Sequence, residues 1–262
     1  MTTPAPALEN WLSAVSNSHQ RLTAVVRGLN AEEIAGASYA DEWSIAQVLS
    51  HLGSGAEIFT LVLRAGLQGG PPPGMGEFEP IWARWNAKTP ADQATDALVA
   101  DRAFIDQLGE LSEQERQAWQ ASLFGTEQKL TDLLRFRLGE HAVHTWDVEV
   151  PGEPTATIAP DATELLVDTL DQLVSRTGQA PDDPLRVLVS TVEPDRRFLL
   201  VVGPALELRP ADNVADDDGT TTLTLPGEAL IRLVYGRLDA QHTPAVEGDA
   251  DLGLLRRAFP GF

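Results

Sequence analysis

The feature that most constrains the fold of this chain is an abrupt change of pattern at Pro151-Gly152-Glu153-Pro154. Before this segment, apolar residues recur at three- and four-residue spacing over long stretches, which is typical of amphipathic helices. After it, short β-rich runs alternate with proline, glycine and aspartate clusters, which is typical of strands and turns. Because two prolines and a glycine interrupt any helix, we predict a boundary here between domains of about 1–150 and 151–262.

Four long helices are predicted in the first domain. Apolar residues keep a helical period over about 8–29, and Ser44 begins a second helix with the spacing of a capping box. Thr89-Pro90 supplies the cap and first turn of a third helix, and a fourth spans about 127–148. Such helices, joined by loops, form a four-helix bundle, whose interior commonly holds metal ions on facing side chains.

The remaining segments are assigned from their turn residues and apolar runs. Residues 66–77 are rich in glycine and proline and are predicted to be a loop, with a short aromatic segment after it. In the second domain we expect one helix over about 161–176 and a small antiparallel sheet, giving an α+β fold. Its strands are predicted at 186–191, 198–202, 206–209 and 220–225, and closing helices at 227–238 and 249–258.

The chemistry is concentrated in Glu140-His141-Ala142-Val143-His144-Thr145-Trp146-Asp147, at the end of the fourth predicted helix. At about 100° per residue, Glu140, His144 and Asp147 share one helix face with Arg137, whereas His141 points about 60° away from His144. Glu140 and His144 are therefore the stronger candidate pair. One turn apart, they suit a metal such as zinc, but a catalytic zinc needs a third protein ligand. A solvated side-chain contact is the alternative interpretation.

Composition excludes several classes of function. The chain has no cysteine, so disulfides, Cys-ligated zinc and a protein thiol nucleophile are excluded, and only five histidines are available as metal ligands. A net charge of -20 argues against nucleic-acid binding. No apolar run approaches the length of a membrane span, and the first residues lack the pattern of a signal peptide. We therefore expect a cytoplasmic protein that does not bind membranes.

Two segments carry a family resemblance. They run from Trp43 to Leu52 (Trp-Ser-Ile-Ala-Gln-Val-Leu-Ser-His-Leu) and from Arg137 to Asp147 (Arg-Leu-Gly-Glu-His-Ala-Val-His-Thr-Trp-Asp). They resemble the DinB-like metal-dependent thiol transferases and, within them, the mycothiol-dependent maleylpyruvate isomerase family. The segments 233–237 and 246–249 are similar to the sterol-carrier-like second domain of that family. The resemblance implies a DinB-like bundle followed by a sterol-carrier-like α+β domain.

The resemblance also implies a set of site residues. It makes His51 the third ligand of a divalent metal, beside Glu140 and His144, and it makes Arg237 an anion contact for thiol or substrate from the second domain. The site is expected where the domains meet, a common place for small-molecule sites. For Asp147 two interpretations stay open: a carboxylate that orients His144, or a plain helix-end charge.

The implied activity uses an external thiol. Because the chain has no cysteine, the nucleophile would be a low-molecular-weight thiol, which the resemblance identifies as mycothiol. Bound zinc would favour deprotonation of the thiol, and the thiolate would attack an electrophilic carbon, giving cis-trans isomerisation of a maleylpyruvate-like acid or S-transfer. The alternatives are a metal-dependent hydrolase and a non-catalytic binding or stress module. The partners are a small thiol and an electrophile, and the protein is expected to be a monomer or homodimer.

Overall fold

The computed structural model describes residues 6–40, 42–123, 125–180, 184–211 and 219–261. The chain forms two compact units, Met1–Ala156 and Thr157–Phe262. The first unit is mainly helical, and the described part of the second contains a five-stranded sheet. The predicted fold class, a helical N-terminal region followed by an α+β region, is confirmed.

The first unit is built on long helices joined by short elements. In chain order, its elements are α1 (Leu8–Gly28), α2 (Ala31–Ala35), α3 (Ile45–Gln68), α4 (Met75–Asn86), α5 (Pro90–Glu110), α6 (Glu113–Ala118), the antiparallel hairpin β1 (Gln120–Leu123) and β2 (Thr126–Lys129), and α7 (Leu130–Glu149). Helix α3 packs against α4, α5 and α7, and α1 packs against α5 and α7.

The helix starts follow from local hydrogen bonding. The Ser44 side chain accepts from the Gln47 backbone N–H, while the Gln47 side chain accepts from the Ser44 N–H, so α3 begins with the predicted capping box. Thr89 caps α5, with Pro90 in its first turn, as predicted. Because a cap is decided within four residues, these boundaries could be predicted from sequence.

Two predicted segments differ in the structure. The predicted loop over 66–77 is shorter, because α3 continues to Gln68 and α4 begins at Met75 and contains the aromatic segment. Pro80 inside α4 hid this helix, since proline usually argues against a helix interior. The fourth predicted helix starts at Leu130 rather than near 127, because residues 126–129 form strand β2 instead.

Helix α7 lies in the interior of the first unit. From Arg137 to Val148, every residue except Glu140 is buried. Apolar and polar side chains are distributed around its whole circumference, so α7 has no single apolar face. This distribution is typical of a helix that is covered by neighbours on all sides. The polar side chains of α7 therefore need partners inside the protein.

Helix α3 corrects one expectation from the sequence. By length and composition alone it is apolar enough to cross a membrane. More than half of its most apolar stretch is buried, where it packs against α4, α5 and α7, and a core helix passes the same composition test. This close packing also explains Gly53, because a Cβ there would overlap the Trp85 ring of α4.

The second unit joins helices to a mixed sheet. Its elements are α8 (Pro160–Leu166), a 3₁₀ turn (Val167–Thr169), α9 (Asp171–Thr177), β3 (Leu185–Val192), β4 (Arg196–Val202), β5 (Glu207–Pro210), β6 (Thr221–Pro226), α10 (Gly227–Val234), β7 (Glu247–Gly248) and α11 (Leu252–Ala258). The strand order is β5-β4-β3-β6-β7, with β3 and β6 parallel and the other pairs antiparallel.

Two predictions for this unit were wrong in detail. The sheet is not purely antiparallel, because β6 follows β5 in the chain but pairs with β3 on the other side of the sheet. Side chains alternate in both kinds of pairing, so alternation does not reveal strand direction. The helix predicted over 161–176 is interrupted by the 3₁₀ turn, where the Thr169 hydroxyl donates to the Leu166 carbonyl and competes with the helical pattern.

Candidate metal centre

Three side chains with metal-binding atoms converge between α3 and α7. His51 lies two turns into α3, and Glu140 and His144 lie one turn apart on α7. One potential ligand atom from each residue lies within 4.8 Å of the other two. His51 Nε2 is 3.0 Å from Glu140 Oε2, and His144 Nε2 is 3.8 Å from the same oxygen. Packing of the two helices therefore adds a third donor to the pair on α7.

The donor set fits a tetrahedral divalent metal. Bonds of about 2.0–2.1 Å at tetrahedral angles place two ligand atoms roughly 3.3 Å apart. The separations of His51 Nε2 and His144 Nε2 from Glu140 Oε2, 3.0 and 3.8 Å, lie on either side of that value. The His51 and Glu140 side chains keep about a third of their surface exposed, so a fourth position can be reached from solvent. Two imidazoles and one carboxylate form a ligand set found in catalytic zinc sites.

Glu140 is ionised in this setting. Burial alone would raise its pKa, but the hydrogen bond from His51, the charges that His144 and His51 carry when they are protonated, and the charge of Arg137 outweigh burial. Together they lower the pKa of Glu140 from 4.5 to about 2. A carboxylate that is ionised at neutral pH is the form that binds a metal cation.

Asp147 fixes the orientation of the His144 ring. Its Oδ2 is 2.8 Å from His144 Nδ1, and the carboxylate is fully buried. A carboxylate accepts hydrogen bonds, so this contact favours the tautomer with the proton on Nδ1, which leaves the lone pair on Nε2, the nitrogen that faces Glu140. The contact lets the Asp147 carboxylate orient the His144 imidazole, and its role toward a metal stays a prediction.

His141 lies apart from the three converging residues. Its Nε2 is 2.9 Å from Asp101 Oδ2, and its Nδ1 is 2.8 Å from Ser18 Oγ, deep between α1, α5 and α7. Burial lowers the pKa of His141. The neutral ring then donates from Nε2 to Asp101 and accepts at Nδ1 from the Ser18 hydroxyl. Both ring nitrogens are engaged in this buried network.

Asp101 is the centre of that network, and it was not found from the sequence. It also binds His19 at 2.8 Å and Arg137 at 2.6 Å, and the Arg137 guanidinium donates to the Leu52 carbonyl as well. Burial opposes ionisation of Asp101, but the charge that His141 carries when it is protonated at low pH, the charge of Arg137 and the hydrogen bonds from His141 and His19 hold the pKa of Asp101 well below the usual range. Arg137 therefore lies on the predicted face but is bound to Asp101.

A signal for Asp101 is present in the sequence. Residues 94, 97, 101, 104 and 108 follow the alternating three- and four-residue spacing of a buried helix face, and all five are buried in α5. An aspartate on such a face requires a buried partner, because an unpaired buried charge is strongly destabilising. The pattern indicates that a partner exists, but it does not identify Arg137 and His141.

Arg237 belongs to the second unit. Its side chain is buried, and its Nη1 donates to the Tyr235 carbonyl at 2.6 Å. It follows Gly236, whose φ of 73° is a conformation that glycine adopts without strain, just after α10. The structure thus brings His51, Glu140, His144 and Asp147 together within the first unit, whereas Arg237 is held in the turn after α10.

Comparison with known proteins identifies relatives in sequence and in fold. A sequence model of the mycothiol maleylpyruvate isomerase N-terminal domain matches residues 15–149. The crystal structure of the mycothiol-dependent maleylpyruvate isomerase is similar with a TM-score of 0.66 and 14% identity, covering 90% of this chain and 92% of that chain. A histidine-to-alanine mutant of that isomerase gives a TM-score of 0.68 and 13% identity, covering 95% of each chain. No curated protein matches the sequence significantly.

Proposed function

Because the chain belongs to the mycothiol maleylpyruvate isomerase family, whose N-terminal domain matches just over half of its length, we propose that it is a metal-dependent isomerase using mycothiol. Its substrate would be a maleylpyruvate-like unsaturated oxo acid, converted from cis to trans. The observation that carries the proposal is the convergence of His51, Glu140 and His144, whose ligand atoms lie within 4.8 Å of one another. Transfer of the thiol to an electrophile is the related reaction that the same site would support.

His51, Glu140 and His144 would hold the metal, with zinc as the best match to their donor atoms. When bound, a zinc ion would lower the pKa of a coordinated thiol, so that a thiolate is available at neutral pH. Glu140 would supply a negative charge to the site, and the contact between Asp147 and His144 Nδ1 would leave Nε2 available as a ligand atom. The partial exposure of His51 and Glu140 leaves room for thiol and substrate to approach.

A thiol mechanism in this chain would need an external thiol. The sequence contains no cysteine, so no side chain can supply the sulfur nucleophile. In a thiol-dependent cis-trans isomerisation, the thiolate adds to the conjugated double bond, the resulting single bond rotates, and the thiolate leaves again. The thiol is regenerated in each turnover, so none is consumed and catalytic amounts suffice. Mycothiol is the thiol named for the family and for the structural relatives.

We also propose that Arg237 binds an anionic group of the substrate or of the thiol. The support is its position in the sterol-carrier-like motif over 233–237 and the affinity of a guanidinium for carboxylates. One of its nitrogens is fixed by the Tyr235 carbonyl, which restricts the orientation of the guanidinium plane.

Thiol dependence of turnover is the decisive test. Metal-loaded protein should be inactive toward maleylpyruvate until mycothiol is added, and glutathione should replace mycothiol poorly if thiol contacts are specific. Progress is followed by the loss of the cis substrate and the appearance of the trans product. Equal turnover in thiol-free buffer, with water as the acceptor, would refute the thiol mechanism and favour a metal-dependent hydrolase.

The ligand set is tested by comparing two histidines of α7. His144→Ala should lose the metal, because it removes one of three ligands, whereas His141→Ala should retain it, since both nitrogens of His141 bind buried protein groups. Metal content per folded chain is measured after dialysis. Equal loss in both variants would contradict the assignment, and a parent protein with neither metal nor turnover would favour a non-catalytic binding module.

A further inference from the structure

The Trp43 side chain lies beside both candidate imidazole ligands. Its ring centroid is 5.4 Å from that of His51 and 6.3 Å from that of His144, and its plane is inclined by only 24° to the His144 ring. The side chain is nevertheless 38% exposed, unlike the buried tryptophans of the first unit. An aromatic surface therefore borders the candidate metal centre and is open to solvent.

Several hydrogen bonds fix the backbone around Trp43, although the side chain is exposed. The Trp43 N–H donates to the Ala40 carbonyl, and the Trp43 carbonyl accepts from both the N–H and the hydroxyl of Ser38. The preceding Glu42 has a φ of 70°, a conformation that costs energy for a residue with a side chain. Strained backbone of this kind persists where its surroundings enforce it, and it is concentrated at functional sites.

The same loop is attached to both helices of the candidate metal centre. Trp43 directly precedes Ser44, the cap of α3. From the other end of the loop, the Tyr39 N–H donates to the Asp147 carbonyl of α7, and the Tyr39 ring packs edge-on against Trp146 at 4.6 Å. A hydrophobic staple explains an apolar residue before a helix cap, but it does not require contact with α7. Trp43 is thus fixed relative to ligands on two different helices.

We propose that the exposed part of the Trp43 indole determines the substrate preference of this site, by stacking on the flat conjugated chain of an unsaturated oxo acid. The inference rests on the proposed function for the location of the substrate. Aromatic rings bind flat π-systems through offset stacking, whereas a saturated chain is bent and carries hydrogens on both faces. Trp43 therefore favours conjugated acids over saturated acids of the same charge and length. It contacts the substrate but takes no part in bond making.

Fumarate and succinate are the probes, because they have the same charges and differ only in the double bond. Their dissociation constants are measured by ligand-observed NMR titration of the full-length, metal-loaded protein. The parent should bind fumarate about two- to tenfold more tightly than succinate, the range expected for one aromatic stack. Trp43→Leu should bring this ratio close to one by weakening fumarate alone. Trp43→Phe should retain most of the preference, because it keeps an aromatic face.

Trp82 provides the matched control. It is 36% exposed on α4, whereas the two imidazoles lie on α3 and α7, and its ring packs beside Phe78. Trp82→Leu should leave the fumarate preference as in the parent. In turnover assays with mycothiol, Trp43→Leu should raise the KM for maleylpyruvate by about the same factor as the lost preference, with kcat and metal content unchanged.

Three results overturn the proposal: no preference for fumarate in the parent, an unchanged preference in Trp43→Leu, or loss of metal from Trp43→Leu and Trp43→Phe alike. The third would mean that Trp43 supports the ligands instead of selecting the substrate. The proposed function is judged separately, by metal content and thiol-dependent turnover of the parent. If the parent passes those tests and Trp43→Leu does not change the preference for fumarate, the proposed role of Trp43 is refuted and the proposed function is not.

Discussion

Replacing Asp147 is expected to weaken metal binding although Asp147 is not itself a proposed ligand. Its fully buried carboxylate holds the Nδ1–H of His144 at 2.8 Å and keeps Nε2 directed toward Glu140. Asp147→Asn keeps the size and one acceptor oxygen but removes the negative charge. Asp147→Ala removes the acceptor altogether and leaves the buried Nδ1–H without this partner.

The magnitude follows from the kind of hydrogen bond that is lost. A hydrogen bond to a charged group contributes about 1.5–3 kcal/mol, and a neutral one about 0.5–1.5 kcal/mol. The change to Asn should therefore cost roughly 1–1.5 kcal/mol, or about tenfold in metal affinity. The change to Ala should cost about 100-fold, the upper end of the effect seen when a residue that orients a metal-binding histidine is removed.

Zinc affinity is measured by competition with a chromogenic chelator, and circular dichroism checks that each variant is folded. Glu149→Gln is the matched control, because Glu149 is a carboxylate at the end of the same helix that forms an ion pair with Arg21 and is not a proposed ligand. The control should bind zinc like the parent. Parental affinity in Asp147→Ala, or an equal loss in Glu149→Gln, would refute the orienting role of Asp147.

Three further predictions test the surroundings of the site. Since the folded-state pKa of Asp101 is depressed, its stabilising effect is present above the unfolded value of about 3.9 and is lost as the pH falls toward the folded value. Asp101→Asn should therefore lower the unfolding free energy at pH 7 by about 3 kcal/mol or more, and the unfolding free energy of the variant should fall less steeply than that of the parent below about pH 5. An unchanged acid profile in denaturant titrations would contradict this. Gly53→Ala should destabilise the protein by about 1–3 kcal/mol in thermal unfolding, because the new methyl group overlaps Trp85. Gly76→Ala is the control and should be neutral or stabilising, because a Cβ added there has no neighbouring atom within 4 Å. Arg237→Lys should raise the KM for the anionic partner while metal content is unchanged, because lysine lacks the planar fork of donors; unchanged kinetics would exclude the anion contact.

The parts of the fold that sequence predicts are those decided by near neighbours. Ser44 and Thr89 begin helices through hydrogen bonds within three residues, so their sequence context is sufficient. The parallel pairing of β3 with β6 depends on where the chain returns in space, and no local pattern records it. Helix α4 was missed because Pro80 obscured a helix that packing against α3 supports.

The candidate site, too, contains residues that local sequence pairs and residues that only the fold brings together. Glu140 and His144 lie one turn apart on one helix, so the helical angle alone pairs them. His51 is 89 positions from Glu140, and only the packing of α3 on α7 brings it within 3.0 Å; the sequence indicated it through a family motif alone. Asp101 shows the limit of such arguments, because its buried helix position predicts a partner without naming it.

The burial of α7 determines how freely this region of the sequence can vary. From Arg137 to Val148, only Glu140 is not buried, so nearly every substitution there changes a packed or hydrogen-bonded neighbour. A library of single variants across this helix should therefore show low tolerance to substitution at apolar and polar positions alike. In an amphipathic surface helix, by contrast, positions that tolerate substitution recur every three to four residues. Changes of substrate range would then have to arise elsewhere, in segments such as the loop carrying Trp43, whose side chain can change without rebuilding the interior.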